Sequence, residues 1–380
     1  VQGRVTRQAH VAIPEGTYED EHGREGFFGQ ASHLYRRHPP SAWSRIEGPL
    51  KPRAFSTDDL ATPDQTDPRG RPLAMLWNYD VAIGLSRRAL PMPYYFRNAD
   101  GDEIHFHHRG RGRMETDYGT LAYEEGDYVV IPKGTIYRLH PEAPAPGTPG
   151  PLMLVVESRG PVGLPDRGLL GAHAPFDPGT VVIPQLPAED APPPPPTTQR
   201  GEWEVVVKRG GALTSLFYDF CPMDVVGWKG DLTVVKLNVR DFRPVMSDRL
   251  HLPPSVHYTF VGPGYAVCTF APRPLEGDPE AMRVPWYHNN CDYDEFIFYH
   301  HGRFVSRAGI DVGMVTLHPA GLHHGPQPDA IRDQWKADRM DAYCVMLDVE
   351  RPLAVADAVA AASRPEYETS WKPRPAGAGG

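Results

Sequence analysis

With 43 prolines and 37 glycines among 380 residues, this chain leaves few windows long enough for a helix. Proline removes a backbone donor and fixes φ, and glycine costs conformational entropy inside regular structure, so both act as punctuation. Between these marks lie short β-branched and aromatic runs: "GDYVVIP" (126–132), "PLMLVVESRG" (151–160), "EWEVVVKRGG" (202–211), "LTVVKLNV" (232–239), "YAVCTFAP" (265–272), "EFIFYHHG" (295–302), "GMVTLHP" (313–319) and "AYCVMLDVE" (342–350). Runs of this length bounded by turn residues read as strands of sandwiches or barrels. Only "PLAVADAVAAASR" (352–364) carries helical periodicity, and it predicts a short C-terminal helix.

The length suits two domains or one doubled domain. The segment "PQLPAEDAPPPPPTTQRGE" (184–202) holds five consecutive prolines and reads as a stiff connector. The expected division is a domain over 1–183, a linker over 184–201, a second domain over 202–365 and a flexible tail over 366–380. A net charge of −9 and the brevity of the basic run "RGRGR" (109–113) argue against a nucleic-acid partner. No apolar stretch approaches the ~20 residues of a membrane helix, so no membrane partner is expected. The beginning "VQGRVTRQAHVAIPEG" has no signal-peptide core. Cys221, Cys268, Cys291 and Cys344 form no CxxC pair and suit buried thiols in a reducing compartment. The cytoplasm is the expected location.

Both halves carry one spaced signature. His288 is followed at +7 by Glu295 and at +14 by Gly302, then by G-x5-P-x-G-x2-H at Gly313, Pro319, Gly321 and His324. In the first half His108 is followed at +7 by Glu115, then by Gly126, Pro132, Gly134 and Tyr137. Any one of these residues has an ordinary explanation. Glu295 could pair with Arg303 or Arg307, and the histidines could be hydrogen-bonded core residues. All three of His288, Glu295 and His324 at this spacing point to a metal, because a carboxylate opening "FIFY" is costly to bury without a positive partner. Two imidazoles and a carboxylate occupy one face of an octahedron and suit Fe(II) with open positions, although zinc accepts the same donors. Tyr137 is a poor ligand at neutral pH, so the first-half site is expected to be metal-free.

These spacings resemble the two signature motifs of the cupin superfamily, which implies a mostly β, bicupin-like fold of two sandwich or jelly-roll barrels. The second histidine of the usual H-x-H is replaced by Asn290, and by Gly110 in the first half.

A narrower resemblance rests on "PWYHNN", "DEF", Gly302 and "LHPAGLHHGP" (317–326), with "LYRRHPPSAW" (34–43) and "HLPPSVHYTF" (251–260) beside them. These are similar to segments of the homogentisate 1,2-dioxygenase family. The resemblance implies an Fe(II)-dependent, extradiol-type ring-cleaving dioxygenase that uses O2 on homogentisate or a related hydroquinone, in a symmetric homo-oligomer. It assigns iron to His288, Glu295 and His324, acid–base work to His251, and a second-sphere or substrate-contacting role to His318. Read from its residues alone, His251 could equally be a surface loop histidine. His323, adjacent to His324, should point to the opposite face.

The departures fall in the substrate pocket. Phe304 stands where the family has a tyrosine, which removes a hydroxyl, and His301 or Arg303 becomes the expected polar partner for the substrate. Asn289 stands where the family has arginine. Two other classes stay open: another cupin metalloenzyme, such as a gentisate-type dioxygenase or a metal-dependent isomerase, and a non-catalytic bicupin binding protein. Asn290 argues against the four-ligand enzymes, and the intact triad argues against the binding protein.

Overall fold

The computed structural model describes residues 1–283, 285–304, 306–328, 330 and 337–372. The chain is mostly β. A seven-stranded sheet runs Val235–Asn238, Asp127–Ile131, Asp102–Arg109, Leu152–Ser158, Val81–Ser86, Leu73–Trp77 and Ala354–Val355. Facing it in the first half is a six-stranded sheet ordered Ala212–Tyr218, Trp203–Arg209, Tyr95–Asn98, Ile136–Pro141, Gly112–Thr116 and Gly119–Tyr123. The second half is built on Tyr258–Gly262, Tyr265–Phe270, Arg339–Val349, Asp294–Arg303, Met314–His318 and Arg53–Ser56. A three-stranded sheet places Tyr287–Asn290 beside Tyr18–Gly23 and Ala31–Arg36. No helix among the described residues is long and apolar enough to cross a membrane.

The continuous apolar run after Glu295 follows from burial on both faces of its strand. Phe296 and Phe298 point into a core shared with Ile104, Phe106 and Tyr128 of the first half. Ile297 and Tyr299 point into the second barrel with Met314, Met346 and Trp371. The period-2 alternation therefore puts Glu295 on the barrel-interior face. The register slips between Tyr299 and His301, and Gly302 follows it. Its φ is 72°, and a Cβ there would lie 1.8 Å from the Asp341 carbonyl oxygen, so no other residue fits.

Strand pairing corrects the repeat. Glu295 lies opposite His318, and Glu103 lies opposite Ile131 in the same way. His324 bridges His288, and Tyr137 lies opposite Phe96. The first-half counterparts of the triad are therefore Phe96, Glu103 and Tyr137. The spacing of His108 and Glu115 is coincidental: Glu115 sits on a different strand and pairs with Arg113 and His140. Phe96 offers no donor atom, and Tyr137 donates its hydroxyl to Glu103 at 2.7 Å.

The domain division also changes. Trp203–Arg209 and Val235–Asn238, both beyond the proline-rich segment, pair with Tyr95–Asn98 and Asp127–Ile131. Arg53–Ser56 pairs in return with Met314–His318. The halves exchange strands, so the boundary at 184–201 does not separate the sheets. The helix spans Asp357–Ala362. The expected tail begins as a 3-10 turn, Pro365–Thr369, with Tyr367 and Trp371 buried. Its remainder, 373–380, lies outside the described residues.

Candidate metal centre

Each imidazole of the triad is fixed by its own backbone. His288 Nδ1 donates to the Trp286 carbonyl at 3.0 Å, and His324 Nδ1 donates to the Leu322 carbonyl at 3.2 Å. Those bonds leave each Nε2 as an acceptor, and both Nε2 atoms are buried without a hydrogen-bond partner. They face Glu295 Oε2 at 3.9 and 3.6 Å. Gly325 permits the approach, since a Cβ there would stand 2.8 Å from the Trp286 carbonyl oxygen.

Two orphaned imidazole nitrogens and one carboxylate oxygen, within 4.8 Å of one another, fit a divalent cation. The electrostatics agree. Burial pushes the Glu295 carboxyl up, but His324, His288 and His318 outweigh it and hold the group well below the usual carboxylate range. Arg307 NH2 also approaches Glu295 Oε1, at 3.8 Å.

His318 stands behind the triad. Its Nδ1 meets Glu295 Oε1 at 2.6 Å and its Nε2 meets the Tyr367 hydroxyl at 2.7 Å. It does not line the pocket, so its contact is with the Glu295 carboxylate. Asp348 is directly opposite Glu295 on the neighbouring strand. Burial and the Glu295 charge push it up to about 7, and its Oδ2 accepts from the Tyr258 hydroxyl.

His288 and Glu295 open onto a pocket enclosing about 690 Å³, mouth included, that also exposes His251, Arg273, Phe304 and Arg307. Its walls are largely apolar, with Phe27, Ile297, Met340 and Met346 among them. His251 is buried, with Nδ1 donating to Glu276 Oε1 at 2.9 Å, and the Arg273 guanidinium stands 3.4 Å from the same nitrogen. Burial lowers its pKa against the opposing effect of Glu276. His301 is exposed on the outer end of its strand, as is Arg303; neither reaches the pocket. Its cationic groups are Arg273 and Arg307 instead. No sequence pattern marks Arg273, Glu276 or Tyr367. Phe27, in the glycine-flanked "GREGFFG", packs on His288 with ring centroids 5.4 Å apart.

A β barrel presenting such donors to an apolar pocket is a cupin architecture. Residues 78–239 match a family model described as homogentisate 1,2-dioxygenase N-terminal, a range ending where the last strand of the first-half sheet ends. A candidate dioxygenase of Saccharolobus solfataricus is 30% identical over 391 residues, covering 97% of this chain and 98% of that protein. The homogentisate 1,2-dioxygenase of Bradyrhizobium diazoefficiens is 31% identical over 246 residues, covering 62% of this chain and 52% of that enzyme. The match thus spans about half the length of that relative. A cupin 2 conserved barrel domain protein from Leptotrichia buccalis is 9% identical with a TM-score of 0.34, over 78% of this chain and 95% of that one; so remote a likeness adds nothing to the argument. The chain belongs to one family with the Saccharolobus solfataricus dioxygenase, a family of dioxygenases, and its residues 78–239 carry the homogentisate 1,2-dioxygenase N-terminal match.

Proposed function

We propose that this chain is an Fe(II)-dependent, extradiol-type ring-cleaving dioxygenase that uses O2 on a hydroquinone-type aromatic, homogentisate or a close relative. The supporting observation is that two unpaired imidazole nitrogens meet the Glu295 carboxylate, and that His288 and Glu295 open onto the same apolar pocket as His251, which Glu276 holds from behind. His288 Nε2, His324 Nε2 and Glu295 Oε2 would hold the ion, which would supply the Lewis-acid and O2-activating chemistry that a phenolic substrate needs.

The protein's own residues do the rest. A phenol with a pKa near ~10 is protonated at neutral pH, so its binding as phenolate needs a base. His251 suits that role, because Glu276 engages Nδ1, which leaves Nε2 to take the proton, and the carboxylate stabilises the resulting imidazolium. Phe27, Ile297, Phe304, Met340 and Met346 seat the ring and exclude water. Arg273 and Arg307 offer cations for an acidic substituent.

The test is oxygen uptake by anaerobically Fe(II)-loaded protein on homogentisate, methylhydroquinone and gentisate. Uptake on a hydroquinone, coupled to loss of the aromatic absorbance, is expected. Uptake on gentisate alone would move the chain to the gentisate-type reading, and no uptake with iron bound would overturn the proposal.

A further inference from the structure

Outside the barrel, four buried or half-buried groups gather on the N-terminal hairpin. Strand alternation puts Glu19 and Glu21 on one face of Tyr18–Gly23, and His33 lies directly across from Glu21 on the next strand. His10 folds over the same face, stacked on Trp286 with ring centroids 3.4 Å apart. Its backbone φ is 68°, a left-handed conformation that non-glycine residues rarely adopt. Such strain persists where the surroundings impose it, and here Glu19 accepts from both the His10 amide and Nδ1, the latter at 2.5 Å.

A carboxylate on Nδ1 is the arrangement that turns a histidine into a metal ligand through Nε2. His10 Nε2 lies 4.0 Å from Glu21 Oε2, and His33 Nε2 lies 3.0 Å from the same oxygen. The charge count supports an ion. Glu19 and Glu21 are 2% and 8% exposed, and among the described residues neither pairs with a lysine or arginine. With neutral imidazoles the cluster would bury two uncompensated carboxylates, an arrangement that is expensive unless a cation meets them. Arg36 and His323 cannot serve, since both are engaged with Asp20 on the opposite face.

We propose that His10, His33 and Glu21, with Glu19 orienting His10, form a second binding site for a divalent first-row transition ion, of the same two-imidazole, one-carboxylate donor class as the barrel site. Parallel pairing sets Glu21 beside His288, so the two sites are neighbours across one strand spacing. This inference stands on the hairpin alone and does not depend on the substrate proposed above.

The probe is Zn(II). Full-length protein is stripped by chelator, loaded with Zn(II), desalted and assayed for zinc per chain, with circular dichroism to verify the fold. Two zinc per wild-type chain are expected, one in His33→Gln, one in His324→Ala and none in the double variant. Glu21→Gln should behave like His33→Gln, and its smaller change of shape separates lost ligation from lost folding. One zinc per folded wild-type chain, or zinc retention unchanged in both His33→Gln and Glu21→Gln, would overturn the site.

Discussion

His108 Nδ1 lies 2.8 Å from His300 Nδ1, and the two residues occupy equivalent positions of their respective halves, each five residues beyond the carboxylate Glu103 or Glu295. The contact joins the two barrels through their shared core, where His300 also packs on Phe106 and His108 on Phe298. Nδ1 can meet Nδ1 as a hydrogen bond only if one ring donates and the other accepts, so the two imidazoles cannot both be cations. Burial pushes His108 down to about 3 and His300 to about 4. His301 adds to the second shift. For the first, His300, Arg109 and Arg87 lower and Asp58 raises.

The sign of the linkage follows. In the unfolded chain both histidines titrate near ~6.5. The folded state binds fewer protons below that pH, so the pair's contribution is present above ~6.5 and is lost as pH falls towards about 4 and then 3. Stability against urea should therefore weaken between pH 7 and 5 more in the native protein than in a His108→Phe/His300→Phe double variant. Equal pH slopes would mean that the pair does not govern acid sensitivity.

His324→Ala removes one of three donors from the barrel centre. Losing a mere outer partner costs ~10–100-fold in metal affinity, so losing a ligand should exceed that. Measured as Fe(II) affinity by chelator competition in a His33→Gln background, which silences the hairpin, retention should collapse while the β circular dichroism persists. Native-like iron affinity would remove His324 from the centre.

The triad is legible in the sequence because its chemistry and its spacing coincide: His288, Glu295 and His324 are two imidazoles and a carboxylate at motif positions. The first-half copy misleads for the complementary reason. Its true counterpart of His288 is Phe96, which carries no chemical signal, so His108 and Glu115 offer a better match on paper than the real pair Phe96 and Glu103. Only strand register separates them. The proline-rich segment announces a stiff connector, but stiffness says nothing about which sheet receives the next strand, and Trp203–Arg209 returns to the first half. Tyr367 and Trp371 resemble part of a polar tail, since two aromatics beside a Pro/Gly-rich end show no periodicity. Glu276 and Arg273 lie 25 and 22 residues after His251 along the chain, so nothing but the fold links them.

His251→Asn should still bind the aromatic substrate and retain iron, yet turn over at least ~10²-fold more slowly, the scale of a lost acid–base group. The lowered pKa of His251 keeps it neutral at pH 7, so the acid limb of kcat/KM should fall below the ordinary imidazole range. Glu276 opposes that lowering. Glu276→Gln should therefore move the acid limb to still lower pH and slow turnover, because the imidazolium loses its counter-charge. An acid limb that stays in place would show that His251 is not the titrating base.

Tyr367→Phe tests the rear of the centre. The Tyr367 hydroxyl engages His318 Nε2, so the proton on His318 sits at Nδ1, where it occupies Glu295 Oε1 and leaves Oε2 to the ion. The variant should lose ~10-fold in Fe(II) affinity and ~1–3 kcal/mol of stability for the buried partner left unpaired. Chelator competition and thermal melting would measure the two effects. Lower stability with unchanged affinity would reduce Tyr367 to a packing role.

Phe304, where the family resemblance implies a tyrosine, makes the remaining prediction. Phe304 lines the pocket and packs on Phe270 and Tyr299, with ring centroids 5.2 and 5.9 Å away. A polar substrate group buried against it without a partner should cost ~1–3 kcal/mol. His301 and Arg303 are exposed on the outer strand end and cannot offset that cost, whereas Arg273 and Arg307 face the pocket. If the acidic arm of homogentisate points towards Phe304, Phe304→Tyr should raise kcat/KM for homogentisate relative to methylhydroquinone, by ~10-fold for one recovered hydrogen bond of ~1.4 kcal/mol. If the arm points towards the guanidinium groups, native protein should already favour homogentisate, and Phe304→Tyr should change nothing while Arg273→Gln or Arg307→Gln abolishes the preference. A ratio that none of these substitutions moves would mean that the substrate carries no acidic arm.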